Sequence, residues 1–446
     1  MTTPLNFRWT TALVALLAFT VAACDSTDPD PEPPPPDEFD QGFLVAVEVL
    51  GDDGALLINA YSEIPSEVDL SEFIEVGTID GSAFAIGDGI FVFDGQGLYT
   101  KYVVDRSTLE ISIDGTLDLT GLGVTGEFGN PIPFSETEAY FIAYTAGQII
   151  QFNPQDIEQG ITETISFEPL PLSRFLPVPS SNSGRGVFSF ERSGSRIFGP
   201  VVNFDFVDFT SPFEAQMFVF DPATNSVSYD IDDRANGLNF LLQPTGDGSY
   251  LGAPRETYDT FLRCGDPPSP APSNDVLLRV TPQGTFDRNF ILDLNDAIDN
   301  YQLIRRVELA LADEALISYI PDTETLPTCD ESFRDVFLLD VERRVVNLRD
   351  GSSRAFNSPV VQALNGILPV GTVGGSRYFK GIPFPDSGVP STLLRQDGLE
   401  SFTTVLTLSS GNESVNAFAQ LWGPGTEEGA ATGRKAQHAF GGVQKY

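Results

Sequence analysis

The stretch Phe218–Ile231, FVFDPATNSVSYDI, spells out a β-hairpin. Phe218, Val219 and Phe220 form an apolar run, Asp221–Asn225 fill a turn, and Ser226–Ile231 alternate into a second strand. Aspartate caps turns with its side chain, proline fixes φ, and asparagine tolerates the left-handed region. The aromatic and β-branched residues on either side suit a pleated, half-buried surface.

The pattern recurs. FLVAVEV starts at Phe43, LYTKYVVD at Leu98, IIQFNP at Ile149, LLRVTPQGTFDRNFILDL at Leu277, FLLDVERRVVNL at Phe337 and LLRQDGLESFTTVLTL at Leu393. Together these make seven, spaced 55, 51, 69, 59, 60 and 56 residues apart. Runs such as SAFAIGDGIFVF, EAYFIAY, GVFSFERSGSRIFG, GSYLGAP and EALISYI supply further strands between them. No stretch sustains a helical period. A repeat of this length predicts an all-β fold, a β-propeller of seven four-stranded blades spanning residues 42–422. Six or eight blades, a pair of β-sandwiches and a β-solenoid are the rivals. The run VNAFAQLW (Val415–Trp422) is expected to close the ring against the strand at Phe43. The 35 phenylalanines suit the wedges between blades.

Upstream, residues 1–23 form a signal peptide, with Arg8 ahead of the apolar core TALVALLAFTVAA. That core falls short of the roughly 20 residues of a membrane span. Val21-Ala22-Ala23-Cys24 fits a bacterial lipoprotein cleavage box, so Cys24 is the expected lipid attachment site; an ordinary secretory signal is the rival. More than one acyl chain (palmitate, for example) gives stable anchoring. Residues 24–41, rich in acid and proline, are then a tether, and residues 423–446 a flexible tail. The expected location is the cell envelope, outer membrane or cell surface rather than inner membrane.

The chain has 63 acidic and 25 basic residues and a net charge of −38. Phosphate contacts need Lys and Arg, so nucleic acid is excluded as a partner. The acid-rich surface fits a salty habitat or a moderately acidic envelope protein. With Cys24 lipidated, Cys264 and Cys329 remain; in an exported chain they predict a disulfide. Both sit in loops ahead of consecutive hairpins, which would bring them to one mouth of the ring. A metal site is the rival, and two thiols are too few ligands for it.

Much chemistry is missing. His438 is the only histidine and lies in the Gly-rich tail, which argues against a Ser-His-Asp triad and histidine-bound zinc. Neither a Walker A loop nor a dinucleotide fingerprint is present. Asp230–Gly237, DIDDRANG, is a poor calcium loop and more simply a solvated turn; TGDGS (Thr245–Ser249) reads as a hairpin turn. No catalytic, metal or cofactor residue is therefore expected.

Cys24, FLVAVEV…ALLINAY (Phe43–Tyr61), MFVFDPATNSVSYDIDDRANGLNF (Met217–Phe240) and NDVLLRVTPQGTFDRNFILDLND (Asn274–Asp296) together resemble bacterial envelope lipoproteins of uncharacterised function. Such proteins are often encoded beside siderophore or TonB-dependent uptake systems. The resemblance implies a propeller-like fold and an accessory role in uptake, with an outer-membrane transporter or a small ligand as partner. It carries over no catalytic residue. The expectation is a lipid-anchored binding or scaffold protein without enzymatic activity. The alternatives are a propeller enzyme acting on a polysaccharide or lactone, marked by clustered carboxylates on inner strands, and a structural envelope protein.

Overall fold

The computed structural model describes residues 38–50, 54–78, 81–94, 97–122, 131–170, 183–186, 190–205, 214–235, 241–253, 275–324, 339–384, 387, 389–424 and 431–432. Cys24, Cys264 and Cys329 lie outside these residues, as does nearly all of the tail.

Seven antiparallel four-stranded blades form a β-propeller. Blade 1 joins the two ends of the ring: β1 (Gly42–Val49), β2 (Ala55–Tyr61) and β3 (Ile74–Thr78) pair outward from the late strand β30 (Glu413–Trp422). Blade 2 is β4 (Ser82–Ile86), β5 (Gly89–Phe93), β6 (Leu98–Val104) and β7 (Ile111–Asp118). Blade 3 is β8 (Ile132–Ser135), β9 (Glu138–Ala143), β10 (Gln148–Phe152) and β11 (Ile161–Ser166). A small ladder follows, β12 (Ser183–Gly186) with β15 (Val202–Asp205), beside blade 4: β13 (Glu191–Ser193), β14 (Arg196–Pro200), β16 (Ala215–Asp221) and β17 (Ser226–Asp232).

Blade 5 is β18 (Leu241–Pro244), β19 (Tyr250–Ala253), β20 (Val276–Val280) and β21 (Phe286–Asp293). Blade 6 is β22 (Tyr301–Ala310), β23 (Glu314–Pro321), β24 (Glu342–Asn347) and β25 (Ser353–Ala355). Blade 7 is β26 (Gly366–Val373), β27 (Ser376–Ile382), β28 (Thr392–Gln396) and β29 (Phe402–Thr407). Two single-turn helices, α1 (Leu294–Ala297) and α2 (Pro359–Gln362), lie in the connections that enter blades 6 and 7. A final short strand is β31 (Ala431–Thr432). Among the described residues no helix is long and apolar enough to cross a membrane.

The expected closure is present. β30 pairs antiparallel with β1, placing Leu44 opposite Ala419 and Val45 opposite Phe418. The repeat is nevertheless out of phase at its first member. The hairpins at Leu98, Ile149, Phe218, Leu277 and Leu393 begin at the third strand of their blades, whereas Phe43 begins a second strand; Phe337 lies outside the described residues. The reason is the closure itself: blade 1 takes its innermost strand from the other end of the chain, so the N-terminal segment can only enter at the second place.

The opening hairpin folds as its residues dictate. Asp221 accepts hydrogen bonds from the backbone of Ala223 (3.1 Å, through Oδ1) and Thr224 (3.2 Å, through its carbonyl), and Asn225 takes φ of 50°. In the β26–β27 turn, Gly374 and Gly375 have φ of 55° and 78°, the sign a tight hairpin turn needs at both central positions. Every residue of β4 and β5 is buried, while most of β7 is exposed or half-exposed. Alternation is therefore legible only in outer strands, and inner strands read as unbroken apolar runs. Seven apolar clusters fill the seven junctions between neighbouring blades.

Because every blade runs from its innermost strand outward, its connections alternate between two ends. At one end lie tight turns such as 87–88, 136–137, 194–195 and 374–375. At the other the second strands end and the third strands begin, at Ala253 and Val276 in blade 5 and at Pro321 and Glu342 in blade 6; Cys264 and Cys329 fall between these in sequence, outside the described residues. The first will be called the turn end and the second the loop end.

Candidate functional site

Three charged residues interrupt the apolar inner strand β22 (YQLIRRVELA): Arg305, Arg306 and Glu308. All are buried, as is Arg343 near the start of β24. Antiparallel pairing places Arg306 and Arg343 on either side of Ser318 of β23. Arg343 reaches across this strand. Its Nε donates to Glu308 Oε2 at 2.7 Å, and its Nη2 donates to Oε1 at 3.2 Å and to the Leu364 carbonyl at 3.0 Å. The side chains of this ion pair are 2% and 0% exposed, so water screens it little. Arg305 Nη1 donates to the Asn365 carbonyl at 2.9 Å and to Asn365 Oδ1.

Next to these groups stands Gly366, the first residue of β26. A Cβ built there would lie 3.7 Å from Glu308 Oε1 and 3.9 Å from Arg306 Nη1. A carboxylate and a guanidinium thus converge on a volume that any other residue would fill. Such a pair can hold a water molecule against a base while a cation faces the charge that develops on an attacked oxygen.

The polar groups continue around the ring. Lys380 Nζ of β27 donates to Ser414 Oγ of β30 at 3.1 Å, and Asn416 Nδ2 donates to Glu48 Oε1 of β1. Asn416 Oδ1 accepts from the backbone of Ala83 in blade 2 at 3.1 Å. Strand direction puts Asn365, Lys380, Ser414 and Glu48 toward the loop end, so the belt beneath that mouth runs from blade 6 to blade 2.

Within DIDDRANG, of which Asn236 and Gly237 lie outside the described residues, Asp230 and Asp232 are bound by arginines rather than solvated. Asp230 Oδ1 bonds Arg288 at 2.6 Å and its Oδ2 accepts from the Phe286 backbone at 2.6 Å. Asp232 is buried and bridges Arg234 and Arg288, each at 2.6 Å. Burial pushes the Asp232 carboxyl upward, but the bonds from Arg234 and Arg288 outweigh it and hold the group below the usual carboxylate range. Arg234 also donates to the carbonyls of Asp287, Arg288 and Phe290 on β21. The segment is a clamp between the outer strands of blades 4 and 5. Thr245–Ser249 is the expected hairpin turn, joining β18 to β19. Among the described residues no group of three or more His, Cys, Asp or Glu could hold a metal ion.

The architecture defines a seven-bladed propeller with lactonase-like structural neighbours. In particular, the chain is similar to the periplasmic gluconolactonase PpgL of Pseudomonas aeruginosa, with 12% identity, a TM-score of 0.47, and coverage of 85% of this chain and 100% of that one. It is also similar to a proposed 6-phosphogluconolactonase of Bacteroides fragilis (10% identity, TM-score 0.44, coverage 87% and 99%). Another, from Bacteroides uniformis, gives 10% identity, a TM-score of 0.42, and coverage of 86% and 100%. The sequence matches no protein-family model and no curated protein. The ring rests on the sheet topology of the chain itself, and the likeness assigns no residue roles.

One expectation is corrected by these neighbours. The missing histidine and cofactor motifs predicted a chain without enzymatic activity, yet the neighbouring structures bear the names of lactonases. The absence of these groups does not exclude hydrolysis, because opening a cyclic ester needs neither: a carboxylate base and a cation near the carbonyl oxygen are enough.

Proposed function

We propose that the chain is a propeller enzyme that hydrolyses a cyclic ester or glycan, with a sugar lactone as the preferred class, inside the loop-end mouth. The observation that carries this is the convergence of Glu308 and Arg306 beside Gly366. In the proposed step Glu308 accepts a proton from water as the water oxygen bonds to the lactone carbonyl carbon. Arg306 faces the oxyanion. The ring C–O bond then breaks, and the leaving alkoxide takes the proton from Glu308. Arg343 is a positioning residue: its two bonds fix the Glu308 carboxylate.

Purified chain should open a panel of γ- and δ-lactones of aldonic acids, followed by acid release. Glu308→Gln, which keeps volume and one acceptor, should lower kcat/KM by about 100-fold or more while the melting temperature stays within a few degrees. No turnover of any lactone, or turnover undiminished in the variant, would overturn the assignment.

The envelope setting is proposed from sequence. Cys24 within its cleavage box, followed by the acidic tether, supports lipid anchoring; a fatty-acid probe should label the chain and Cys24→Ser should abolish labelling. A Cys264–Cys329 disulfide is supported by connections that start and finish at the loop end of consecutive blades, and non-reducing mass mapping tests it. The resemblance to uptake-linked lipoproteins supports a role in supplying a nutrient or siderophore product to an outer-membrane transporter.

A further inference from the structure

Glu308 and Asn416 hold the same kind of position in two blades. Each is the extra residue of a β-bulge on an innermost strand. Val307 and Leu309 of β22 face Ile317 and Leu316 with Glu308 left between them, and Val415 and Ala417 of β30 face Val47 and Ala46 with Asn416 left between them. A bulge re-aims the side chain that it leaves unpaired. Blades 6 and 1 thus each turn a polar residue out of the apolar alternation, one on either side of blade 7. Asn416 is occupied, its Oδ1 by the Ala83 backbone and its Nδ2 by Glu48. Two residues earlier on β30, Ser414 Oγ accepts from Lys380 Nζ at 3.1 Å, and among the described residues no acceptor takes the Ser414 hydroxyl proton. Ser414 is half-buried whereas Val415–Trp422 are all buried, so the inner strand meets the loop-end mouth at this hydroxyl.

Blade 7 joins this group to Glu308. Gly366 pairs with Ile382 and Leu368 with Lys380, with no bulge between them, so the Cβ direction of Gly366 and the Lys380 side chain lie on one face. A Cβ at Gly366 would lie 3.9 Å from Ile382 Cδ1, on that face, and 3.7 Å from Glu308 Oε1. Gly366 and Lys380 are diagonal neighbours across two strands, about 7–8 Å apart. Lys380 reaches Ser414 of blade 1, so this is the face toward blade 1, and Glu308 of blade 6 comes to it round the start of β26. The Glu308–Arg306 pair and the Lys380–Ser414 pair therefore border one space at the loop end.

A hydroxyl that accepts from an amine is strengthened as a donor. Glu48 is buried directly opposite Ser414 on β1, so one carboxyl stands against one amine and the group suits a neutral oxygen better than an anion. We infer that Lys380 and Ser414 form a hydroxyl-binding subsite of the loop-end mouth, in which Ser414 donates to a hydroxyl oxygen of the lactone while Glu308 and Arg306 act at its carbonyl. This deepens the catalytic reading and rests on it for the lactone. It makes polyhydroxylated lactones, rather than plain cyclic esters, the substrates that gain from the site.

Two measurements on the full chain separate the subsite from the catalysis. Ser414→Ala should lower the ratio of kcat/KM for glucono-δ-lactone to that for δ-valerolactone, which has the same ring and no hydroxyl, by about tenfold, with the loss in KM. Ser414→Thr, which keeps the hydroxyl, should retain most of the ratio. Glucitol, which carries the hydroxyls and no carbonyl, should bind in calorimetry, and about tenfold more weakly to Ser414→Ala. An unchanged ratio, or glucitol binding that is absent or indifferent to Ser414→Ala, would overturn the subsite, while lactone turnover keeps the catalytic reading. Glucitol binding that depends on Ser414 in a chain that opens no lactone would uphold the subsite and sink the catalytic reading.

Discussion

The junction between blades 2 and 3 and the loop-end half of that between blades 6 and 7 occupy equivalent places in one ring, and their chemistry is opposite. The first is aromatic: Tyr99 and Phe141 lie 4.2 Å apart between ring centroids, and Phe141 stacks on Phe152 at 4.7 Å. The second sets the Arg343–Glu308 ion pair beside two further buried arginines, Arg306 near Gly366 and Arg305 on Asn365, at similar burial. Aromatic packing of this kind gains from both area and ring geometry. A buried ion pair seldom stabilises more than a well-packed apolar replacement. The ring can evidently close on apolar packing, so the charges need a reason other than stability. The catalytic reading supplies one.

The comparison is broken most forcefully from the aromatic side. Phe141→Ala should destabilise the chain by about 4 kcal/mol, the usual cost of an emptied aromatic site, measured by chemical denaturation. Turnover per folded molecule should remain unchanged. A loss below about 1 kcal/mol would show that this wedge does not hold the ring.

The charged junction should respond in the other sense. Arg343→Met alone leaves Glu308 buried without its bidentate partner and should cost about 3 kcal/mol. Adding Glu308→Leu should recover most of that loss, within about 1 kcal/mol of the starting chain, and leave no lactone turnover. A double variant as unstable as the single one would make the pair a structural staple.

A third charged site sharpens the contrast, because it lies on the rim and contributes no chemistry. Asp232→Asn should cost about 2 kcal/mol through weakened bonds from Arg234 and Arg288, without changing turnover. Its native pKa is lowered, so its contribution is present above the ordinary carboxylate range and is lost as pH falls through the native value.

The smallest effect belongs to a turn. Bonds from the Ser249 and Thr245 side chains hold the Asp247 carboxyl down at about 2, against an ordinary value of 3.8. Asp247 therefore stabilises the fold fully above about pH 4 and loses that effect on acidification toward pH 2. Asp247→Asn should cost less than about 1 kcal/mol at neutral pH, and the difference in melting temperature should close by about pH 2.

Ring and site differ in how far the sequence discloses them. Hairpins such as Phe218–Ile231 could be read because outer strands alternate and their turns carry Asp, Pro and Asn. VNAFAQLW was recognisable as a closing strand because an eight-residue apolar run late in the chain needs a partner. The site was hidden by the fold's own geometry. Arg343 belongs to FLLDVERRVVNL, which reads as an ordinary hairpin strand, and its partner Glu308 lies 35 residues earlier in another strand. No motif spacing connects them; pairing through β23 does. The available signal was local: Arg305, Arg306 and Glu308 within a ten-residue strand whose other described positions are mostly buried and apolar. Asp230 and Asp232 misled in the opposite direction, because a cluster of acids does not reveal that Arg288 from the next hairpin and Arg234 beside it will neutralise it.

Blade 1 also imposes a timetable on synthesis. The bond between Asn416 and Glu48 spans 368 residues, so β1 emerges long before the strand that completes its sheet. At about 5–20 residues per second the ribosome needs on the order of half a minute to deliver β30. Throughout that interval β1 presents an open edge of buried-type residues, the kind that pairs with other chains. Ring completion is therefore among the last events of folding, and the nascent chain depends on whatever shields Phe43–Val47 until Val415–Trp422 arrives.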